Sequence, residues 1–429
     1  MEEGPEARAP LEEAAEAYAP SVAQRLAFYQ RAGGLVTPVA TALVAFLMGG
    51  AVVLATGHNP WRTYQAIFAG TGLNWFFHFG NYHVDIPFTD RHVWFWWDTN
   101  TDHAAPYNLT QTLLVTTPLI LTGVAVAFAF RCGMFNIGGQ GQYLVGQTLA
   151  LIVGAKISGT GGPVHVFLGV TIAALGGAVW GGIAGVLKAT VGAHEVITTI
   201  MLNWIAVWTA HYLVESGPLH ATGQANPVSD RVPESAKLPV FWGDPVLQGL
   251  HAGLFVALGL LVVYWITLNR TTLGYEVRAV GLNPEAARYG GIGVRRNYFL
   301  AMAISGAFAG VAGAADMLGW QYQLGTADIH ASTIGFIGIA VALLGRNKAI
   351  GIFFSALLFA ALATGTAARQ LDQTVFRPEL ASNLTLIIQG LIVLFVGADV
   401  LILYLWQARR KLRPRRRAAA TAPAAEVGG

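Results

Sequence analysis

Long apolar runs separated by short polar connections dominate the chain. A membrane-spanning helix needs about 20 mostly apolar residues. Ten stretches approach this pattern: Leu35–Thr56, Leu109–Phe130, Met134–Ala155, Val164–Leu187, Glu195–Val214, Leu250–Leu268, Tyr298–Trp320, Thr333–Leu344, Ile350–Thr366 and Leu384–Leu405. The third is rich in Gly and Gln, and the eighth is short and stops at Arg346 and Lys348. Both are predicted to be broken or re-entrant, a backbone tolerated at membrane depth only where protein or a water cavity surrounds it. The pattern predicts an all-α polytopic membrane protein, with a tail over 1–34, a transmembrane domain over 35–406 and a second tail over 407–429. The two interrupted segments sit at comparable places in two groups of spans, an arrangement that often marks a binding site near the midplane.

Small residues add packing detail. Gly177, Gly181 and Gly185 recur at every fourth position of the fourth span, and Gly306 and Gly310 do so in the seventh. Such faces let helices touch closely. Three polar connections are long. The first, 57–108, holds Trp61, Trp75, Trp94, Trp96 and Trp97 with His58, His78, His83, His92 and His103. Its irregular His spacing and lack of Cys favour an interfacial aromatic flap over a zinc site. The second, Glu215–Gly249, is studded with prolines, and the third, 269–297, is rich in cations.

Composition agrees with a bilayer protein. Of 429 residues, 54% are hydrophobic and only 11% charged, whereas soluble domains carry about 25% charged residues. With both termini placed inside, 19 of the 26 Lys and Arg residues fall on inner segments and 7 on outer ones. That asymmetry follows the positive-inside rule and requires an even number of crossings. The first 20 residues carry Glu2, Glu3, Glu6, Glu12, Glu13 and Glu16, unlike the basic start of a signal peptide. At the other end Arg409, Arg410, Lys411, Arg413, Arg415, Arg416 and Arg417 read as an anchor on anionic headgroups rather than a nucleic-acid site. The lone Cys132 excludes a disulfide framework and a multi-Cys metal site.

Three stretches are candidates for chemistry. In Phe135–Gln142 the amides of Asn136, Gln140 and Gln142 both donate and accept, which suits a polar uncharged ligand or a helix break glued by amides. In His194–Asn203 the zinc pattern H-E-x-x-H fails at Thr198. Glu195, Thr199, Leu202 and Asn203 share one helix face, and Glu195 reads either as a functional group or as a pairing partner at a helix start. In Gly281–Ile292, Asn283 is predicted as N-cap, Pro284 as first helical residue and Gly290 as terminator, enclosing Glu285, Ala286, Ala287 and Arg288. This short helix is either a knob for a partner's groove or an ordinary surface helix. Asp316 and Asp399 lie near span ends without an obvious partner. No Gly-Lys pair occurs, so a P-loop is absent and the chain cannot bind ATP in that manner.

These residues carry a resemblance. Tyr107–Gly146, including TPLILTGVAVAFAFRCGMFNIGGQGQ, with HEVITTIMLNWIA, RAVGLNPEAARYGGI and LFVGADVL, resembles nucleoside-type ABC importer permeases, over roughly Leu35 to Tyr404. The branch also holds ribose-like sugar and branched-chain amino-acid permeases. FNIGGQGQ and HEVITTIMLN favour the nucleoside type. The chain departs from the family in the outer insert over 72–105, longer and richer in Trp and His, and in His194, where Asn is usual.

The resemblance implies a ten-span permease fold in the cell (cytoplasmic) membrane with both termini cytosolic. It implies a second homologous permease subunit, an external lipid-anchored binding protein that delivers a small-molecule substrate, and a cytosolic ABC ATPase docked on Gly281–Ile292. ATP and Mg would reside on that ATPase; no metal or cofactor is expected on this chain, which does no bond chemistry itself. The substrate pathway is expected at Phe135, Asn136, Gln140, Gln142, Glu195, Asn203 and Trp204. The alternatives are a simple-sugar or amino-acid permease and an ion-coupled secondary transporter using Glu195 and Asp316.

Overall fold

A computed structural model describes residues 22–75, 104–157, 159, 161–243, 249–367 and 378–397. Helices account for most of it. The helices are α1 (Val22–Ala55), α2 (Pro60–Gly70), α3 (Ala104–Arg131), α4 (Gly139–Lys156), α5 (Gly162–Val191), α6 (Glu195–Glu215) and α7 (Gly253–Arg270). They continue as α8 (Thr272–Leu282), α9 (Pro284–Tyr289), α10 (Val294–Asp316), α11 (Thr326–Ala331), α12 (Ile334–Leu344), α13 (Ala349–Gly365) and α14 (Pro378–Gly397). Among the described residues the only sheet is the antiparallel pair β1 (Val240–Trp242) and β2 (Leu250–His251). Most of the 72–105 insert, residues 1–21 of the first tail, the second tail and Asp399 lie outside the described residues.

Among the described residues each of the ten predicted stretches overlaps a helix, and seven helical segments are long and apolar enough to cross a membrane. An 18-residue helix such as α7 reaches about 27 Å at 1.5 Å per residue, close to the hydrocarbon thickness. The N-terminal helix starts at Val22, ahead of the predicted span edge at Leu35. The sixth span starts at Gly253 because Leu250 and His251 are taken into β2.

Burial sorts the helices into layers. The central helix is α3, whose apolar stretch is 83% buried, whereas α1, α5 and α6 are each 28% buried over theirs. The hydroxyls of Thr116 and Thr122 on α3 donate to the carbonyls four residues earlier, at 2.7 and 2.9 Å, so neither is left unpaired in the core. Beside it lies α4, with buried residues on every side. An amide-rich helix is tolerated at this depth because protein encases it.

The predicted glycine faces meet each other. A Cβ on Gly306 would overlap the carbonyl of Gly177, and one on Gly310 would overlap the carbonyl of Ala173. The backbones of α5 and α10 therefore touch along this seam. Gly146 of α4 abuts Gly310 from the other side, which locks α4, α5 and α10 into one block.

The two predicted breaks take different forms. The third span is a turn through Cys132–Gly138 followed by an unbroken α4. The eighth, Thr333–Leu344, is itself the unbroken α12; the interruption lies at its start, between the end of α11 at Ala331 and Ile334. A second irregularity, which the sequence pattern did not show, is the π-helical turn Met317–Gln321 at the end of α10.

Candidate functional site

The turn before α4 is held by a closed set of amides. Asn136 Nδ2 donates to Gln142 Oε1 at 2.9 Å and to Ser305 Oγ at 2.7 Å. Its Oδ1 accepts from the backbone N–H of Gly138 at 2.8 Å and from Gln142 Nε2 at 3.2 Å. Ser305 passes its own proton to the carbonyl of Ala125 at 2.6 Å. All four groups are buried. Both donor hydrogens and both acceptor positions of Asn136 are thus used within the chain.

Gln140 connects this turn to the interruption between α11 and α12. Its Nε2 donates to the carbonyl of Ser332 at 3.0 Å, and its Oε1 accepts from the N–H of Gly335 at 2.8 Å. The backbones are so close here that a Cβ on Gly335 would overlap Gln140. The third and eighth spans, both predicted to be irregular, therefore meet at their irregular points. Asn203 of α6 completes the junction, accepting from Gly141 N–H at 2.8 Å and donating to the Ile137 carbonyl at 2.9 Å.

The remaining predicted pathway residues lie at the rim. Phe135 is exposed and stacks on Phe130 at 4.8 Å between centroids. Trp204 is 57% exposed on the outward face of α6, along with Met201 and Trp208. Glu195 is joined to Lys188 at 2.8 Å across the turn at Gly192, whose φ is +69°. Ser305, Ser332, Gly335 and Lys188 were not singled out from the sequence. Only Lys188, close before Glu195, offered a local signal.

Asp316 has partners that the sequence did not reveal. It is fully buried, accepting from Tyr143 Oη at 2.6 Å and from Trp320 Nε1 at 3.1 Å. Trp320 reaches back along the π-helical turn, and Tyr143 comes from α4. Cys132 is buried beside the Asn297 carbonyl, and burial pushes its thiol up to about 12, which makes it unreactive.

The short helix in the third connection forms as predicted. Asn283 Oδ1 accepts from the N–H groups of Glu285 and Ala286 at 3.0 and 3.1 Å. Pro284 is at the first position, and Gly290 is the C-cap. Ala287 is buried on the inner side. Gly281, ending α8, packs directly on the carbonyl of Arg131. Arg288 and Glu285 pair loosely at 3.6 Å on the surface. Flanking them, Leu282 and Tyr289 are 88% and 93% exposed. Two large side chains standing free on either side of the capped helix, Leu282 at the end of α8 and Tyr289 at the end of α9, form a knob, and neither was singled out within the Gly281–Ile292 stretch.

Comparison with known proteins accords with this architecture. Residues 108–397 match the family described as branched-chain amino acid transport system / permease component. A guanosine ABC transporter permease protein of Bacillus subtilis is 38% identical over 307 residues, covering 71% of this chain and 85% of the relative. A nucleoside ABC transporter permease protein of Lactococcus lactis is 32% identical over 378 residues, covering 86% and 92%. A glucose ABC transporter permease protein of Haloferax volcanii is 31% identical over 367 residues, covering 84% and 86%. No solved structure matches. With its multi-pass helical fold and a match spanning most of its length, the chain belongs to this family of ABC transporter permease components.

Proposed function

We propose that this chain is the permease subunit of an ATP-driven nucleoside importer in the cell membrane, with both termini cytosolic. The observation that carries the reading is α9, capped at both ends, with Leu282 at the end of α8 and Tyr289 at the end of α9 both presented to solvent. A helix with this shape fits a groove in a partner, and the partner is a cytosolic ABC ATPase that binds ATP and Mg. The nucleoside assignment is supported by the two relatives named for guanosine and nucleoside. A second permease subunit and an external lipid-anchored binding protein complete the transporter.

Transport in this reading is alternating access. Gly281 seats the end of α8 on the end of α3, so movement of α9 is transmitted into the central helix. The junction of α4 with α11 and α12 flanks the pathway. Phe135 offers a ring for stacking a base, while Asn136, Gln140, Gln142 and Asn203 hold the irregular backbone in place. The pair Glu195–Lys188 closes the α5–α6 turn at the rim. A ligand moves such an equilibrium only through unequal contact with the two states, so a shallow, weakly binding pathway suffices.

The test is uptake of labelled guanosine by the assembled transporter in proteoliposomes, with uridine, adenosine, ribose, glucose and leucine as competitors. Competition by nucleosides, lost when the ATPase is inactivated, is expected. Competition by glucose or ribose alone would favour the sugar reading that the Haloferax relative represents. Uptake that survives ATPase inactivation and stops with an ionophore would refute the proposal.

A further inference from the structure

A cavity of about 810 Å³ lies at the α9 end of the bundle, bounded by α1, the end of α7, α8 and the turn between α12 and α13. Three cations line it: Arg131 at the end of α3, Arg278 on α8, and Lys348 in the turn. No Asp or Glu is part of its lining. Among the described residues, none of the three is paired with a carboxylate.

Two polar atoms of its lining residues are unsatisfied. One guanidinium nitrogen of Arg131 donates to the Asn347 carbonyl at 2.9 Å, and Tyr264 Oη donates to the same carbonyl at 2.8 Å. Arg131 Nε and Asn347 Oδ1 are nevertheless buried without a hydrogen-bond partner. Arg346 and Asn347 hold positive φ values of 52° and 53°, an uncommon conformation for residues other than glycine. This strained turn keeps the Asn347 carbonyl facing Arg131. A buried guanidinium N–H without an acceptor is costly, and an anion would supply one.

The rest of the wall is apolar, with Val39 and Ala42 from α1, Trp265 from α7, and Phe354 and Leu358 from α13. Val39, Trp265 and Phe354 are also exposed, so the wall runs on into the lipid-facing belt. A soluble anion would satisfy the cations and leave these walls bare. A zwitterionic lipid would bring a second positive charge among three existing ones.

We infer that this cavity binds an anionic phospholipid, its phosphate held by Arg131, Arg278 and Lys348 and an acyl chain lying against Val39, Phe354 and Leu358. Basic pockets between helices hold such headgroups in other membrane proteins. On the orientation proposed above, the lipid comes from the inner leaflet. The bound lipid would bridge α3, α8 and the α12–α13 turn. Since α8 leads directly into α9, it would stiffen the frame on which the knob is mounted.

Native mass spectrometry of the purified full chain, incubated with phosphatidylglycerol or phosphatidylcholine, tests this without any transport step, so its outcome is independent of the substrate assignment. Phosphatidylglycerol should be retained in preference to phosphatidylcholine. Arg278→Gln and Lys348→Gln should each weaken retention about fivefold, the value of one interfacial cation. Arg296→Gln, an exposed cation outside the cavity, should not weaken it. Phe354→Asp, on the exposed wall, should reduce retention without touching the cations. Equal retention of the two lipids, wild-type binding by both cation variants, or full displacement by inorganic phosphate would overturn the inference.

Discussion

The side chain of Asn203 caps a helix to which it does not belong: its Oδ1 accepts the backbone N–H of Gly141, three residues into α4, at 2.8 Å. The first N–H groups of a helix have no partner within it, and Gly138 provides no side-chain cap. Asn203 therefore does for α4 what a local Ser or Asp does elsewhere, while its Nδ2 holds the Ile137 carbonyl at 2.9 Å. Replacing Asn203 with Leu leaves both groups buried and unpaired, at a cost of about 1–3 kcal/mol. Thermal unfolding of the detergent-solubilised protein should show the loss. Gly141→Ala should act in the same direction, because its Cβ would lie 2.8 Å from Asn203 Oδ1 and 2.9 Å from Asn203 Cα.

The α5–α10 seam predicts a contrast between glycines. Gly306→Val forces the two backbones apart and should destabilise by about 1–3 kcal/mol, the range of overpacked cores. Gly259→Ala in α7 meets nothing within 4 Å and should be neutral, or stabilise by up to about 1 kcal/mol through helix propensity. Measured side by side by thermal unfolding, the two separate close packing from mere presence of glycine.

Docking of an ATPase on α9 predicts that Tyr289→Ala and Leu282→Ala leave folding unchanged, because both side chains contact mainly solvent. Uptake driven by the assembled transporter should fall about tenfold or more, as expected for anchors of an interface. Asn283→Ala should also lower uptake, with a local loss of about 1 kcal/mol from the missing cap. Wild-type uptake by all three variants would remove α9 from the coupling path.

A pH effect should arise from His251. It is buried in β2, its Nδ1 accepts from Gly253 N–H at 3.1 Å, and its Nε2 has no partner. Burial lowers its pKa from 6.5 to about 4. The folded state therefore resists a proton that the unfolded state accepts. Stability is fully present above about pH 6.5 and declines as pH falls toward about 4. His251→Phe should flatten that part of the stability profile; an unchanged slope would assign it to other groups.

The Glu195–Lys188 pair predicts charge-swap behaviour. Glu195→Lys replaces the carboxylate 2.8 Å from Lys188 with a second cation and should impair folding or expression, while the double exchange with Lys188→Glu should restore much of it. A double-mutant cycle reads the coupling.

Much of this architecture was legible in the chain because it rests on local rules. Asn283, Pro284 and Gly290 define α9 through capping and φ preferences that act within a few residues. The repeats of Gly177, Gly181, Gly185, Gly306 and Gly310 marked two close-packing faces, and their meeting needed only complementary shape. The polar third span and the short eighth span were recognisable as irregular because amides, glycines and charges interrupt an apolar run.

What the amino-acid order determined by itself was the set of long apolar helices, their membrane character and the position of the capped helix α9, since hydrophobic length and local hydrogen bonding decide these over one or a few turns; the short helices α2, α8 and α11 were not legible in it. Tertiary structure alone decided which polar groups are consumed and which remain available. Asn136 could have faced a ligand, yet Ser305, 169 positions away in the chain, accepts a hydrogen bond from its amide. Asp316 looked unpartnered until Tyr143, 173 positions away, was brought against it. Pairings across such distances depend on how whole helices pack, and no local pattern encodes that.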